Sequence, residues 1–296
     1  MRAPSSPRWS DVVVTMLAPA VWGSTYLVAT ETLPAGHPIM FATLRALPAG
    51  LILLALTRRR PAGHWLWRSV VLGSLNFSVF WVMLYIAAHR LPGGVAATLG
   101  AVQPLLVLGL SRLVLKAPVS AAATAAALAG CGGVALMLLG PDAALDPIGV
   151  AAGLAGAASM AAGTVLSRRW RAPGPVLSFT AWQLIAGGLV LLPLALWLEP
   201  PLPALSAMSY GGLAWLSLIG AAATYGLWFR GIGRLEPGAV SMLGLASPVT
   251  AVVLGWLWLG QGLSVVQVVG MAIVVISVLA GQFVHPTARR GGMAAA

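Results

Sequence analysis

The chain has 296 residues, of which 59% are hydrophobic and 8% are charged, and its formal net charge is +11. A soluble domain of this size carries about 25% charged residues, so the composition excludes a water-soluble globule and predicts an integral membrane protein. The basic residues lie in short clusters between apolar segments, and this distribution argues against a nucleic-acid-binding face.

Ten apolar segments have the length of about 20 residues that a helix needs to cross a bilayer. We predict membrane spans, numbered 1 to 10, near residues 11–31, 37–57, 68–89, 93–115, 120–140, 147–168, 176–197, 208–230, 237–259 and 264–284. Arg2 and Arg8 precede span 1 as in a signal peptide. That segment has membrane length and no convincing cleavage site, so we expect it to be retained. Cys131, the single cysteine, is interpreted as a small buried residue.

The positions of arginine and lysine predict how the spans are oriented. With a cytoplasmic N-terminus, fifteen basic residues fall on cytoplasmic segments and only Arg90 falls on an outer connection. Positive residues concentrate on the cytoplasmic side of membrane proteins. We therefore expect a multi-pass protein of the cell inner (plasma) membrane with both termini in the cytoplasm. The carboxylates that fall on the outer side are Glu31, Asp142, Asp146 and Glu199.

Two segments of the first half match segments of the second half in the same order. A shift of 144 positions aligns RLPGGVAATLGAVQP with RLEPGAVSMLGLASP, and a shift of 138 aligns FATLRALPAGLILL with FTAWQLIAGGLVLL. These matches predict a duplication, with residues 1–142 and 143–296 as five-helix repeats of one membrane domain. Because five is odd, the second repeat must enter from the opposite face. Such inverted repeats suit transport by alternating access.

The duplicated pattern resembles the ten-helix EamA-type exporters of the drug/metabolite transporter superfamily. The resemblance rests on WGSTY in span 1, on Arg45 within FATLRALPAG in span 2, and on the paired G-x-x-x-P segments. Within that family the pattern looks like the YddG-type exporters of aromatic amino acids. The resemblance implies an all-α membrane protein in which spans 1–4 and 6–9 surround a central cavity, with spans 5 and 10 at the periphery.

Paired glycine and proline residues predict bends in spans 4 and 9. Pro104 follows Gly100 by four residues, and Pro248 follows Gly244 by four. Proline removes a backbone hydrogen bond and clashes with the carbonyl four residues earlier. We interpret these four residues as gating residues; a static packing kink is the alternative.

Polar and aromatic side chains in mid-span are candidates for substrate contact, because lipid-facing helix surfaces exclude polar groups. The candidate substrate-binding residues are Trp22, Tyr26, Arg45, Asn76, Phe80, Gln103, Ser159, Trp182, Gln183, Tyr225 and Ser247. Asn76 and Gln103 favour a cavity because an amide is costly to bury without a partner. Serine and threonine can instead bond to their own helix backbone, and any one tryptophan can face lipid.

Arg45 lies about eight residues inside span 2, or roughly 12 Å at the helical rise. A guanidinium there could bind a substrate carboxylate through two parallel hydrogen bonds. The alternative is a structural arginine that reaches outward or caps backbone carbonyls. Its repeat partner Gln183 is polar but uncharged, which suits a shared structural role.

These features predict an exporter of small amphipathic metabolites, with aromatic or large neutral amino acids as substrates. No carboxylate lies deep in a predicted span, which favours facilitated transport over proton coupling. A multidrug, nucleotide-sugar or other metabolite carrier of the same superfamily is the alternative. A membrane-embedded enzyme is less favoured, because no metal or nucleophile constellation is present. The expected partners of this monomer are a small-molecule substrate and the lipid bilayer, without nucleic acid, cofactor or metal.

Overall fold

The computed structural model describes residues 9–91, 93–138, 146–260 and 262–283; the side chains of Tyr26, Ala88 and residues 93–96 are not described. Within these ranges the regular structure is entirely helical, and ten helices are long and apolar enough to cross a membrane. The predicted all-α class and the predicted number of spans are therefore confirmed.

Six of the spans are continuous helices that lie close to their predicted segments. Their bounds are Trp9–Thr32 (span 1), Pro38–Thr57 (span 2), Ala121–Leu138 (span 5), Pro147–Trp170 (span 6), Val176–Leu198 (span 7) and Val265–Phe283 (span 10). Span 6 begins directly after Asp146, whose carboxylate accepts a hydrogen bond of 2.7 Å from the Gly149 amide. An aspartate at this position satisfies one of the amides that a helix start leaves unpaired.

The other four spans are interrupted near their middle. Span 3 comprises Trp65–Gly73, the π-helix Ser74–Ser78 and Val79–Arg90, and span 8 comprises Ala207–Ala214, the π-helix Trp215–Ala223 and Thr224–Arg234. Span 4 comprises Gly93–Gly100 and Gln103–Val114, and span 9 comprises Pro237–Leu243 and Ala246–Leu259. The 144-residue shift places the π-helix of span 3 within that of span 8 and brings the break of span 4 to within one residue of the break of span 9. The fold is thus two inverted five-helix repeats with matching irregularities.

The span ends form two faces of the bundle. The face that holds the start of span 1 and the ends of spans 2, 6 and 8 carries most of the arginines and is called here the arginine-rich face. On the opposite face, the Glu199 carboxylate after span 7 accepts hydrogen bonds of 2.6 and 2.7 Å from the Ile39 and Met40 amides. This contact joins span 7 of the second repeat to the start of span 2 in the first.

Glycines allow the closest approaches between spans. A Cβ atom on Gly133 of span 5 would lie 2.9 Å from the carbonyl oxygen of Gly270 in span 10, so the two backbones are in contact. A Cβ atom on Gly73 of span 3 would lie 2.6 Å from the Gln183 carbonyl oxygen and 2.7 Å from the Gly187 amide nitrogen of span 7. Small residues at such crossings let membrane helices pack through dispersion forces.

Candidate functional site

Two polar contacts at equivalent places of the inverted repeat join the halves of the molecule. Arg45 of span 2 donates from Nη2 to the Gly220 carbonyl oxygen in the π-helix of span 8, at 2.5 Å. Asn76, in the π-helix of span 3, donates from Nδ2 to Oε1 of Gln183 in span 7, at 2.7 Å. The shift of 138 relates Arg45 to Gln183, and the shift of 144 relates Asn76 to Gly220. Each π-helix is therefore held by a polar side chain of the other repeat.

The Asn76–Gln183 contact is closed off from solvent and lipid. The exposed fractions of Asn76 and Gln183 are 1% and 0%. Gly163 of span 6 provides the space for the Asn76 amide, which any Cβ atom there would overlap. Ser159, one turn earlier, donates from Oγ to the Leu75 carbonyl at 2.8 Å. Three of the predicted binding residues thus form a buried polar cluster, and their contact with substrate remains a prediction.

Arg45 is half-buried and also contacts an aromatic ring. Its guanidinium carbon lies 5.4 Å from the centroid of the Trp81 ring in span 3, which is within the range of a cation–π interaction. A π-helix widens the helical turn and is common at functional sites. The Gly220 carbonyl therefore belongs to an irregular turn. Its hydrogen bond from Arg45 is the kind of contact expected for an arginine that caps backbone carbonyls.

Trp22 of span 1 joins the aromatic residues of span 8. Its Nε1 donates to Thr224 Oγ1 at 2.9 Å, and its ring centroid lies 4.7 Å from that of Tyr225 and 5.2 Å from that of Trp228. Phe77 of span 3 packs on the same Tyr225 ring at 4.7 Å. Trp22 is half-buried, whereas Tyr225 is 3% exposed. Spans 1, 3 and 8 therefore meet at an aromatic cluster in mid-bundle.

Aromatic packing continues from this cluster to the arginine-rich face. Tyr225 contacts Phe229, Phe229 contacts Phe179, and Phe179 contacts Trp65, at centroid distances of 6.1, 5.3 and 5.8 Å. Trp182 packs 6.1 Å from Trp65 and donates from Nε1 to the Arg59 carbonyl at 2.7 Å. Trp182, a predicted binding residue, therefore packs near the arginine-rich face and, among the described residues, makes no ring contact with the aromatic cluster around Trp22.

The remaining predicted binding residues lie at varied places. Phe80 is half-buried one turn beyond Asn76, and Gln103 and Ser247 are half-buried at the interruptions of spans 4 and 9. The side chain of Tyr26 lies outside the described residues. Within the described part of the chain, no hydrogen bond or cation–π contact joins Phe80, Gln103 or Ser247 to Arg45.

The predicted bends of spans 4 and 9 are confirmed as breaks in the helices. Amides at both breaks bond to carbonyls three residues earlier, as Leu245 does to Met242 at 3.1 Å and Val102 does to Leu99 at 3.2 Å. Pro104 and Pro248 lie in the first turn after each break, where a missing amide costs nothing. The Cys131 thiol donates to the Ala101 carbonyl at 3.0 Å and so satisfies a group that the break in span 4 exposes.

Sequence reasoning missed an aspartate at the arginine-rich face. Asp11, the third residue of span 1, accepts hydrogen bonds from Arg230 Nη2 at 2.6 Å and from Arg234 Nη1 at 3.1 Å. Its side chain is 4% exposed. The sequence does offer a signal for this contact, because Asp11 is a carboxylate on a face that otherwise carries mostly basic residues.

Comparison with known proteins identifies the family. The model of the "EamA-like transporter family" matches residues 9–139 and again residues 147–280. The chain belongs to this family. It is thus a multi-pass membrane transporter of the drug/metabolite transporter superfamily, as the sequence resemblance indicated.

Individual relatives extend over nearly the whole EamA-type chain. Protein PecM of Dickeya dadantii is 44% identical over 275 residues, which are 92% of each chain. The uncharacterized inner membrane transporter YedA of Escherichia coli is 28% identical over 90% of this chain and 89% of its own. A protein of known crystal structure superimposes with a TM-score of 0.81 at 21% identity, covering 93% of this chain and 98% of the other, and so supports the fold alone.

Proposed function

We propose that this EamA-type transporter exports amino acids with aromatic or large neutral side chains by alternating access. The observation that carries the proposal is the half-buried Arg45 guanidinium, which lies 5.4 Å from the half-buried Trp81 ring, in a bundle whose spans 1 and 3 also carry the half-buried rings of Trp22 and Phe80. Aromatic rings suit an apolar side chain. A substrate carboxylate would compete with the Gly220 carbonyl for Arg45, because a charged acceptor forms the stronger hydrogen bond.

The arginine-rich face is proposed to be cytoplasmic, with both chain ends there and the protein in the inner membrane. The excess of basic residues on that face supports this orientation, and YedA is named an inner membrane transporter. The two family matches, 9–139 and 147–280, support the proposed division into repeats at residues 142 and 143. Residues 1–142 and 143–296 would then exchange conformations as transport proceeds.

Transport is proposed to be facilitative. Among the described residues, the acidic side chains of the spans, Asp11 and Glu31, lie within the first or last turn of span 1. Proton-coupled carriers commonly place an ionisable group deeper in the membrane.

Counterflow in proteoliposomes tests the substrate class. Vesicles loaded with one unlabelled compound are diluted into the labelled compound, using aromatic, aliphatic and charged amino acids, a cationic drug and a nucleotide sugar. We expect exchange of aromatic and large neutral amino acids that persists when the pH gradient is collapsed. Exchange of the drug or the nucleotide sugar alone would select the alternative carriers, and loss of flux with the pH gradient would overturn the facilitative mechanism.

Replacing Arg45 by lysine separates carboxylate binding from a structural role. Lysine keeps the charge and loses the planar fork, so we expect the apparent affinity for phenylalanine to fall by about tenfold, equivalent to about 1.4 kcal/mol. The affinity for phenylalaninamide, which lacks the carboxylate, should change little. Arg68→Lys, at a guanidinium packed among Trp65, Trp67 and Trp170, is the matched control. Equal losses for both compounds in Arg45→Lys would show that Arg45 only supports the fold.

The two helix breaks are proposed to act as hinges during gating. We expect Pro104→Ala and Pro248→Ala each to slow counterflow by about tenfold, equivalent to about 1.4 kcal/mol in the barrier, because alanine lets the helices run through the breaks. Pro193→Ala, inside the uninterrupted span 7, is the control. Unchanged rates in both hinge variants would show that the breaks are static packing features. Gly100 and Gly244 would then also be packing residues and not gating residues.

A further inference from the structure

Ion pairs occupy equivalent places on the two faces of the bundle. At the arginine-rich face, Asp11 near the start of span 1 binds Arg234 at the end of span 8. At the opposite face, Asp146 at the start of span 6 lies next to Arg90 at the end of span 3. Spans 1 and 6 are repeat partners, as are spans 3 and 8, and the shift of 144 places Arg90 on Arg234. Each pair therefore joins equivalent spans on its own face, with the arginines at equivalent positions and the aspartates at different positions near the helix starts.

The two pairs differ in geometry. Asp11 Oδ1 lies 2.6 Å from Arg230 Nη2 and 3.1 Å from Arg234 Nη1, and the Asp11 side chain is 4% exposed. Asp146 Oδ2 lies 3.7 Å from Arg90 Nη1, and these side chains are 36% and 45% exposed. The Asp11 pair is thus buried and short, whereas the Asp146 pair is longer and partly exposed, although spans 3 and 6 are in close contact beside it, where a Cβ atom on Gly149 would lie 2.6 Å from Leu91 Cγ.

The packing around Asp11 shows that spans 1 and 8 are in close contact at this face. Asp11, Thr15, Ala18 and Trp22 share one side of span 1, since they recur at intervals of three or four residues. Thr15 and Ala18 have exposed fractions of 0%. Thr15 fills the space beside Gly231 of span 8, where a Cβ atom would overlap it. The interface of spans 1 and 8 is sealed from Asp11 to the aromatic cluster.

We propose that the two ion pairs are the alternating gates of the transporter. Asp11, Arg230 and Arg234 hold spans 1 and 8 together at the arginine-rich face, and Asp146 and Arg90 hold spans 3 and 6 together at the opposite face. Both contacts are formed in the conformation described here, and each would open in turn during transport. The inference rests on the proposed transport by alternating access. Inversion supports it, because the conformation of one repeat is available to the other. Each gate would open while the other stays closed, so that the two faces are not open at the same time.

The gates are unequal in strength. Arg230 supplies a second donor to Asp11, whereas the position related to it by the 144-residue shift is Ile86. The closed arginine-rich face therefore has one charged hydrogen bond more than its counterpart can have, and it is the favoured conformation when substrate is absent.

Cysteine labelling in lipid nanodiscs tests the gates without substrate and without assuming an orientation, because both faces are open to the reagent. The reporter is Ala18→Cys, fully buried in this conformation, in a Cys131→Ser background. Asp11→Asn should raise the rate of maleimide labelling by about tenfold, since charge-assisted hydrogen bonds of this kind strongly bias an equilibrium. Asp146→Asn should lower the rate by about threefold, because it weakens the gate of the competing conformation.

Controls separate gating from a general loosening of the fold. Glu31→Gln removes an exposed carboxylate at the other end of span 1 and should leave labelling unchanged. Arg234→Gln removes one of the two bonds to Asp11 and should give an intermediate rise, which keeps the test open if Asp11→Asn does not fold. An unchanged rate in Asp11→Asn and Arg234→Gln, or a rate in Asp146→Asn that is not lowered, would overturn the proposal.

The labelling experiment and the counterflow experiment can fail independently. Opposite shifts in labelling together with no amino-acid exchange would uphold the gates and reject the proposed substrates. Amino-acid exchange with labelling that is insensitive to Asp11 and Asp146 would uphold the transport proposal and reject the gates.

Discussion

Gly73→Ala should lower the stability of the folded protein by about 3 kcal/mol, the upper range for overpacking a dense interior. The added methyl group would lie 2.6 Å from the Gln183 carbonyl oxygen and 2.7 Å from the Gly187 amide nitrogen. Both obstacles are backbone atoms, so no side-chain rotation can relieve the overlap, and spans 3 and 7 must separate. The separation would also pull on the π-helix that begins at Ser74 and on the Asn76–Gln183 bond.

The matched control is Gly109→Ala in span 4. Gly109 is also helical, and a Cβ atom there has no neighbour within 4 Å, so this variant gains helix propensity without a clash. Thermal unfolding of the purified proteins in detergent, followed by size-exclusion chromatography, provides the comparison. Equal midpoints for the two variants would contradict the close packing of spans 3 and 7.

Asn76→Leu should destabilise the protein by about 2 kcal/mol, because it removes the donor that satisfies a buried amide. Gln183 is fully buried, and its Oε1 would lose the hydrogen bond that Asn76 Nδ2 donates at 2.7 Å. The double variant Asn76→Leu with Gln183→Leu should regain more than half of the loss, since it leaves no unsatisfied amide at the contact. We therefore expect that leaving one buried amide without its partner costs more stability than removing both amides.

A double-mutant cycle measures this coupling. The four proteins are compared by the free energy of unfolding in mixed micelles, and we expect a coupling energy of at least about 1 kcal/mol, near the upper range for polar contacts between membrane helices. Ser159→Ala, which removes the neighbouring bond to the Leu75 carbonyl, controls for damage to the π-helix alone. Additive losses in the double variant would show that Asn76 and Gln183 stabilise the fold independently.

The features that follow from local chemistry could be predicted from the sequence. Apolar runs of membrane length locate the ten spans because the bilayer leaves the backbone no other way to satisfy its hydrogen bonds. Gly100 with Pro104 and Gly244 with Pro248 marked the breaks, because both depend on residues within one or two helical turns. The repeat followed from sequence alone, since duplicated halves keep their helix spacing.

The contacts that give the candidate site its geometry could not be predicted in the same way. Asn76 and Gln183 stand 107 positions apart, and Arg45 and Gly220 stand 175 apart. Polarity in mid-span identified three of these four residues as candidates, but it does not determine which of them bind each other. Asp11 was missed because its partners, Arg230 and Arg234, stand 219 and 223 positions away in span 8.

The π-helices of spans 3 and 8 bear on the history of the chain. A π-helical turn holds one residue more than an α-helical turn, so an inserted residue can be absorbed there without rotating the remainder of the span. Ser74–Ser78, shifted by 144, falls within Trp215–Ala223. Two separate insertions at the same depth would be a coincidence, whereas a single insertion in an ancestral five-helix protein would pass to both halves. That ancestor would have already carried the wide turn when it paired, in opposite orientations, with a second copy of itself.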